Sequence, residues 1–264
     1  MDIKSTNLEV IKRHFDIQAE WVKSVREADK ERASKTVAMI PKDTSSILEA
    51  GCGNGIIINE IAKSKFAVGL DFSNTALKYV NREKVMGDCV NLPFAAKTFD
   101  MVIAAEVLEH LDQRTLNNTL LELQRVAKRY ILVSVPFREK PWETFVKCGH
   151  CGHAYSPYGH QQYFDRKRVE WLIKSKQQVV EFSGRRKALP WLTRFGQIVF
   201  GAYSYRKNSI CPRCNSNVLK YGILTKTYER VCSILKVFAG VQPNWILCLY
   251  KVEYKFHASE KRAN

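Results

Sequence analysis

The run Ile47-Leu48-Glu49-Ala50-Gly51-Cys52-Gly53-Asn54-Gly55 decides the fold of this chain. A short apolar segment carries an acid and then three glycines at alternate positions. Glycine allows a sharp turn and lets a ligand approach the backbone with no Cβ in the way. Helix-like sequence follows from Ile56 to Lys65, so the glycines stand where a strand hands over to a helix N-terminus. Open α/β sheets bind nucleotides at that point. A dinucleotide fingerprint would need its third glycine at position 56, which is Ile56. The loop therefore fits poorly with NAD.

Outward from this loop, apolar segments ending in acids recur. Ala67-Val68-Gly69-Leu70-Asp71 reads as a second strand, with its acid 20 residues after Gly51. Such folds place there the carboxylate that holds a ribose diol. Val85-Met86-Gly87-Asp88 ends in another acid, and Phe99 to Ala105 is a nearly all-apolar fourth strand. Glu106-Val107-Leu108-Glu109-His110-Leu111 follows it. Tyr130 to Val135 reads as a fifth strand, stopped by Pro136, which cannot continue a hydrogen-bond ladder. Gln178 to Arg186 reads as a sixth and the alternating Trp245 to Tyr254 as a seventh. Helical patterns fill the gaps, most clearly Thr115 to Lys128 and 165–176, and apolar spacings of three and four make 4–39 helical as well. Strand and helix in alternation predict an α/β fold with a largely parallel sheet and helices on both faces.

This ordered set resembles the class I S-adenosylmethionine-dependent methyltransferases, in particular the branch with the ubiquinone-pathway and sugar enzymes. The likeness covers residues 45–136 well, and 160–186 and 245–254 more loosely. It implies a Rossmann-like seven-stranded sheet whose last strand is antiparallel, between the fifth and sixth. It also implies roles. Glu49 and the backbone of Gly51, Cys52, Gly53 and Gly55 would face the methionine part of S-adenosylmethionine. Asp71 would take the ribose hydroxyls, with Phe72 near the adenine. Asp88 would accept the adenine amino group, with Cys89 beside it. Ala105 and Glu106 would line the sulfonium end. Cys52 itself reads as a packed residue, because nothing around it in sequence would lower a thiol pKa. Phe15 and Trp21 look like aromatics of a lid over the cofactor.

The resemblance and the patterns divide the chain. Residues 1–40 form a helical lid, 41–187 and 244–256 the core, and 257–264 a basic tail. Stretches 137–163 and 188–243 are insertions, each with a Cys-x-x-Cys. Cys148-Gly149-His150-Cys151 and Cys211-Pro212-Arg213-Cys214 are two such knuckles. Two intervening residues let both thiolates reach one Zn²⁺ at about 2.3 Å, and four thiolates close a structural site. The 59 residues between Cys151 and Cys211 exceed a simple zinc ribbon, and two incidental reduced or redox pairs are the competing reading. Cys89, Cys232 and Cys248 read as packing. Leu189 to Tyr203 is apolar and aromatic, and reads as a buried helix, an acceptor cover or a membrane-facing segment.

The chain has 264 residues, 45% hydrophobic and 26% charged, as globular proteins do. No leader pattern and no run of about 18 apolar residues is visible, which predicts a cytoplasmic protein without a membrane span. The net charge of +16 is spread along the chain rather than gathered in one aromatic-laced block. It favours an anionic partner.

In-line methyl transfer to a hydroxyl needs an aligned acceptor and a base. His160, in Tyr158-Gly159-His160-Gln161-Gln162-Tyr163-Phe164, and His110 are the candidates, with Glu106 beside them. The leading expectation is O-methylation of a small molecule or glycan. The alternative is RNA or protein methylation across the basic surface. The Asn/Asp-Pro-Pro-aromatic signature of amine methylation on bases is missing after the fourth strand.

Overall fold

The computed structural model describes residues 26–61, 63–141, 145–173, 175–187, 195, 210–217, 230–231, 234–235 and 240–253. Phe15, Trp21, Cys232, the basic tail and nearly all of the Leu189–Tyr203 segment lie outside these residues.

The elements that build the site are helices α1 (Glu27–Ala38), α2 (Ile58–Ile61), α3 (Asn74–Leu77), α4 (Gln113–Val126) and α5 (Arg166–Glu170). The strands are β1 (Ser46–Ala50), β2 (Phe66–Asp71), β3 (Glu83–Met86), β4 (Phe99–Ala105) and β5 (Ala127–Pro136). Next come β6 (Val146–Lys147), β7 (Ala154–Tyr155), β8 (Lys176–Ser183), β9 (Arg186–Lys187), β10 (Val241–Gln242) and β11 (Trp245–Lys251). Seven strands make one sheet in the order β3-β2-β1-β4-β5-β11-β8. β11 runs antiparallel to both β5 and β8, as expected of the last strand.

Alternation along the strands sends side chains to two cores. Leu48, Ala50, Val102, Ala104, Ile131 and Val133 pack on one face against Leu116, Leu120, Leu123 and Val126 of α4 and Val169 of α5. Ile47, Met101, Ile103, Ala105 and Leu132 pack on the other against Ala33 of α1, Ile58 and Ile61 of α2 and Leu77 of α3. Helices therefore cover both faces.

Several boundaries differ from the sequence expectation. The fifth strand begins at Ala127, directly where α4 ends, because Lys97 and Thr98 take the carbonyls of Arg125 and Val126 and open the pairing with β4. β3 starts at Glu83, two residues early. It is an exposed edge strand, so no apolar run marks it. The 165–176 helix shortens to α5, and β8 begins at Lys176. No helix among the described residues is long and apolar enough to cross a membrane.

Candidate functional site

The glycine loop closes over the C-terminal ends of β1 and β2. Gly51 and Cys52 donate their N–H groups to the Leu70 carbonyl at 2.7 and 2.9 Å. Gly51 and Gly53 sit at φ of +77° and +50°, where a side chain is strained. A Cβ on Gly51 would lie 2.3 Å from Val107 Cγ2, whereas one on Gly53 would enter open space. Gly51 thus seats the loop against the turn after β4, and Gly53 keeps a clear approach.

Asp71 ties the loop down. Its Oδ2 accepts from Gly53 N and its Oδ1 from Ser73 N, both at 2.8 Å. Ser73 in turn caps α3 by accepting from Ala76 N at 3.2 Å. Asp88 accepts from Val90 N at 3.1 Å in the turn after β3. Phe72 and Cys89 are part-buried beside these acids. Burial pushes the thiols of Cys52 and Cys89 up, and the charges of Asp71 and its neighbours add to it. Both stay protonated packing residues rather than nucleophiles.

Three carboxyl groups are buried at this end of the sheet. Glu49 points an oxygen, Oε2, into a buried space with no hydrogen-bond partner among the described residues. Burial pushes Glu49 up to about 8, against the opposing charge of Arg32. Glu106 follows β4 at φ +59°, a costly conformation for a non-glycine residue. Its Oε2 accepts from Trp245 Nε1 at 2.7 Å, and its Oε1 has no partner among the described residues. Burial raises Glu106 as well, with Arg32 again the main opposing charge. Glu109 is 1% exposed, both its carboxylate oxygens lack hydrogen-bond partners among the described residues, and burial together with Glu106 raises it well above the usual range.

Arg32 was not a sequence candidate. It sits on α1 among Arg26, Lys30 and Lys35, a pattern that reads as a solvated face. The fold buries it to 7% exposure, over the Trp245 ring at 5.4 Å, with Nε and Nη1 unpartnered among the described residues. A buried guanidinium with open donors between two acids is suited to a carboxylate.

His110 and His160 meet. Their ring centroids are 4.8 Å apart at 63°. The turn bearing His160 is stapled to the 3-10 turn Leu108–His110. Gln161 N and Gln162 N donate to Glu109 O at 2.7 and 3.1 Å. Gln161 Nε2 donates to His110 O, and Gln162 Nε2 to Leu111 O, each at 2.7 Å. His160 Nδ1 lies 2.6 Å from Glu139 Oε1. Val107, which seats Gly51, accepts from His110 N at 3.1 Å, so this pair adjoins the glycine loop.

The four knuckle cysteines also meet. Cys148 Sγ is 3.5 Å from Cys214 Sγ, and Cys151 Sγ is 3.6 Å from Cys211 Sγ. All four sulfurs lie within 4.8 Å of one another. A tetrahedron with bonds of about 2.3 Å has edges of about 3.8 Å, so the set fits one zinc ion. Each knuckle is a tight turn: Gly152 N donates to Cys148 O at 3.1 Å and Asn215 N to Cys211 O at 2.9 Å. His150 and His153 are not in the cluster.

The geometry has counterparts among known proteins. Residues 48–130 match the family model described as a methyltransferase domain. A tRNA (carboxymethyluridine(34)-5-O)-methyltransferase of Arabidopsis thaliana is 31% identical over 131 residues, 47% of this chain and 32% of that protein. An uncharacterized protein of Methanocaldococcus jannaschii is 33% identical over 84 residues, 31% of this chain and 36% of that one. The chain thus spans about a third of the length of these curated relatives. Among solved structures it resembles a chain of the complex between the Haloferax volcanii Trm112 methyltransferase activator and a methyltransferase. The TM-score there is 0.58 at 14% identity, over 94% of this chain and 99% of that one. It also resembles a SAM-dependent methyltransferase from Archaeoglobus fulgidus, with a TM-score of 0.53 at 16% identity over 89% and 98%. At such identities the likeness is one of fold. Residues 48–130 thus match a methyltransferase domain, and the chain has the fold of the class I S-adenosylmethionine-dependent methyltransferases.

Proposed function

We propose that the chain methylates a hydroxyl oxygen of a small molecule or glycan, using S-adenosylmethionine. The observation that carries this is the His110–His160 pair, ring centroids 4.8 Å apart, beside the glycine loop. When bound, S-adenosylmethionine supplies the methyl group on a sulfonium that is already a good leaving group. The residues of the chain bind, orient and move a proton. Glu49 takes the ammonium of the methionine part and Arg32 its carboxylate. Asp71 takes the ribose hydroxyls, and Asp88 the adenine amino group. Glu106 and Ala105 border the sulfonium, and the two histidines face the acceptor. An unperturbed imidazole titrates near neutrality and suits a base for a hydroxyl.

Acceptance of RNA is a second reading, favoured by the name of the Arabidopsis relative and by the +16 charge. One experiment separates them. Release of S-adenosylhomocysteine is measured with sugars, nucleotide-sugars, phenols and RNAs as acceptors. Turnover confined to RNA would replace the first reading, and no cofactor binding by calorimetry would sink both.

The cysteine cluster holds one structural zinc, because four thiolates leave no position for water. Its work is to join two connections of the fold. Purified protein should contain one zinc per chain, and Cys148→Ser or Cys211→Ser should release it and lower the melting temperature, since structural zinc contributes directly to folding. Elemental analysis without zinc, and unchanged melting of both variants, would count against the site.

A further inference from the structure

We infer that Glu139 is the positioning residue for His160, fixing which nitrogen of the ring can take a proton; this rests on the methyltransferase reading. The two groups lie 2.6 Å apart, with side chains only 18% and 10% exposed. The backbone leading into Glu139 is anchored. Phe137 N donates to Asn244 O and Arg138 N to Phe164 O, each at 2.7 Å, and Arg138 takes φ of +51° to make the turn.

The ring has little freedom to turn away. Tyr158 stacks on it at 5.5 Å and His110 packs edge-on at 4.8 Å. The hydrogen bonds from Gln161 and Gln162 lock its backbone to the 108–111 turn. Gly159, at φ +71°, brings that backbone to His110, where a Cβ would be 3.6 Å from Nδ1. Among the described residues, the charged and titratable groups around the ring are Glu139, His110, Glu109, Tyr158 and, further off, Glu106.

An ionised carboxylate can only accept a hydrogen bond. Facing Glu139, the neutral imidazole must carry its proton on Nδ1. That leaves the lone pair on Nε2. The proton released by the acceptor hydroxyl goes to Nε2, the Nδ1–H stays on the ring, and Glu139 remains ionised and stabilises the imidazolium. The logic is that of a base held in one tautomer by a buried acid. A free histidine ring favours the opposite tautomer, so Glu139 has a measurable effect apart from turnover.

The test uses full-length, zinc-loaded protein and long-range ¹H–¹⁵N spectra of the histidine rings, with His160 assigned by His160→Gln. Wild type should show the Nδ1–H form of His160. Glu139→Ala should move most of the population to Nε2–H. Glu139→Gln, whose amide oxygen can still accept, should retain Nδ1–H but lose the charge. On an acceptor found with the panel, Glu139→Ala should lower kcat about 10- to 1,000-fold, and Glu139→Asp should recover part of it. KM and S-adenosylmethionine affinity should stay within about twofold in all of them, because Glu139 is outside the cofactor groups. An Nε2–H ring in wild type, or a tautomer indifferent to Glu139→Ala, overturns the inference while leaving cofactor binding intact. So does a wild-type ring whose nitrogens shift on addition of Mg²⁺ or Zn²⁺, which would make it a ligand. Wild type that fails to bind S-adenosylmethionine overturns the methyltransferase reading instead, whatever the tautomer.

Discussion

The two ends of strand β4 carry acids treated in opposite ways. Asp100, at the start, is saturated. Its Oδ2 accepts from Ser45 N at 2.9 Å, Ser45 Oγ at 2.6 Å and Ser46 N at 3.1 Å, and Lys128 lies 3.9 Å from Oδ1. The Ser45 hydroxyl above all holds this carboxyl far below its usual range. At the far end Glu106, with Glu49 and Glu109, is buried with oxygens that have no partner among the described residues, and burial raises all three. Leaving a buried polar group unpaired costs about 1–3 kcal/mol each. Among the described residues, then, one end of β4 is satisfied and the other carries unpaired carboxyl oxygens.

The contrast can be broken most sharply at the acceptor. His160→Ala should cut turnover about 10²–10⁴-fold on an identified hydroxyl acceptor, with S-adenosylmethionine affinity near wild type. Full turnover in steady-state assays would move the base to His110 or make the acceptor an amine.

Asp71 comes next, because it serves both the loop and the proposed ribose contact. Asp71→Ala removes charge-assisted acceptors of Gly53 N and Ser73 N and should weaken cofactor binding about 10- to 100-fold. Calorimetry giving wild-type affinity would show that the loop alone binds.

Glu49 sharpens the comparison through pH. Its carboxyl, pushed up to about 8, keeps a proton in the folded protein that the unfolded chain releases near pH 4.5. Stability should therefore fall as pH rises through that window. An ammonium at Glu49 needs the carboxylate, so cofactor binding should release a proton and tighten by up to about tenfold per pH unit toward pH 8. Calorimetry in buffers of different ionisation heat measures the proton. Glu49→Gln should abolish its release, and equal release by that variant would place the effect elsewhere.

The smallest effect on binding belongs to Asp100. Asp100→Asn should cost about 1–3 kcal/mol of stability and leave cofactor affinity unchanged. Since the folded pKa of Asp100 is depressed, its contribution is present above about pH 4 and fades as pH falls below it. Urea melts at pH 7 and pH 3 should show the gap between wild type and variant closing. A gap of the same size at pH 7 and pH 3 would assign the loss to packing.

Local pattern carries far in this chain. Period-two alternation separates Ile47 from Leu48 onto different cores, and the acids at strand ends mark Asp71 and Asp88. The glycines of the loop take the positive φ that their spacing suggests. Boundaries are less legible. Pairing with a neighbour starts β5 at Ala127, and an exposed edge hides β3, so contacts distant in sequence set them.

By itself the amino-acid sequence determined the succession of strands and helices, the glycine loop, the acids at the strand ends and the two Cys-x-x-Cys turns, because each is written within a few residues as periodicity or backbone permission. Only the tertiary structure decided which distant groups share a place. It brought Cys148 and Cys151 to Cys211 and Cys214, and His160 to His110 and Glu139. It turned Arg32 from a surface pattern into a buried cation over Trp245. Such meetings depend on how the sheet orders its strands and where their connections end, and short-range propensity holds no record of that.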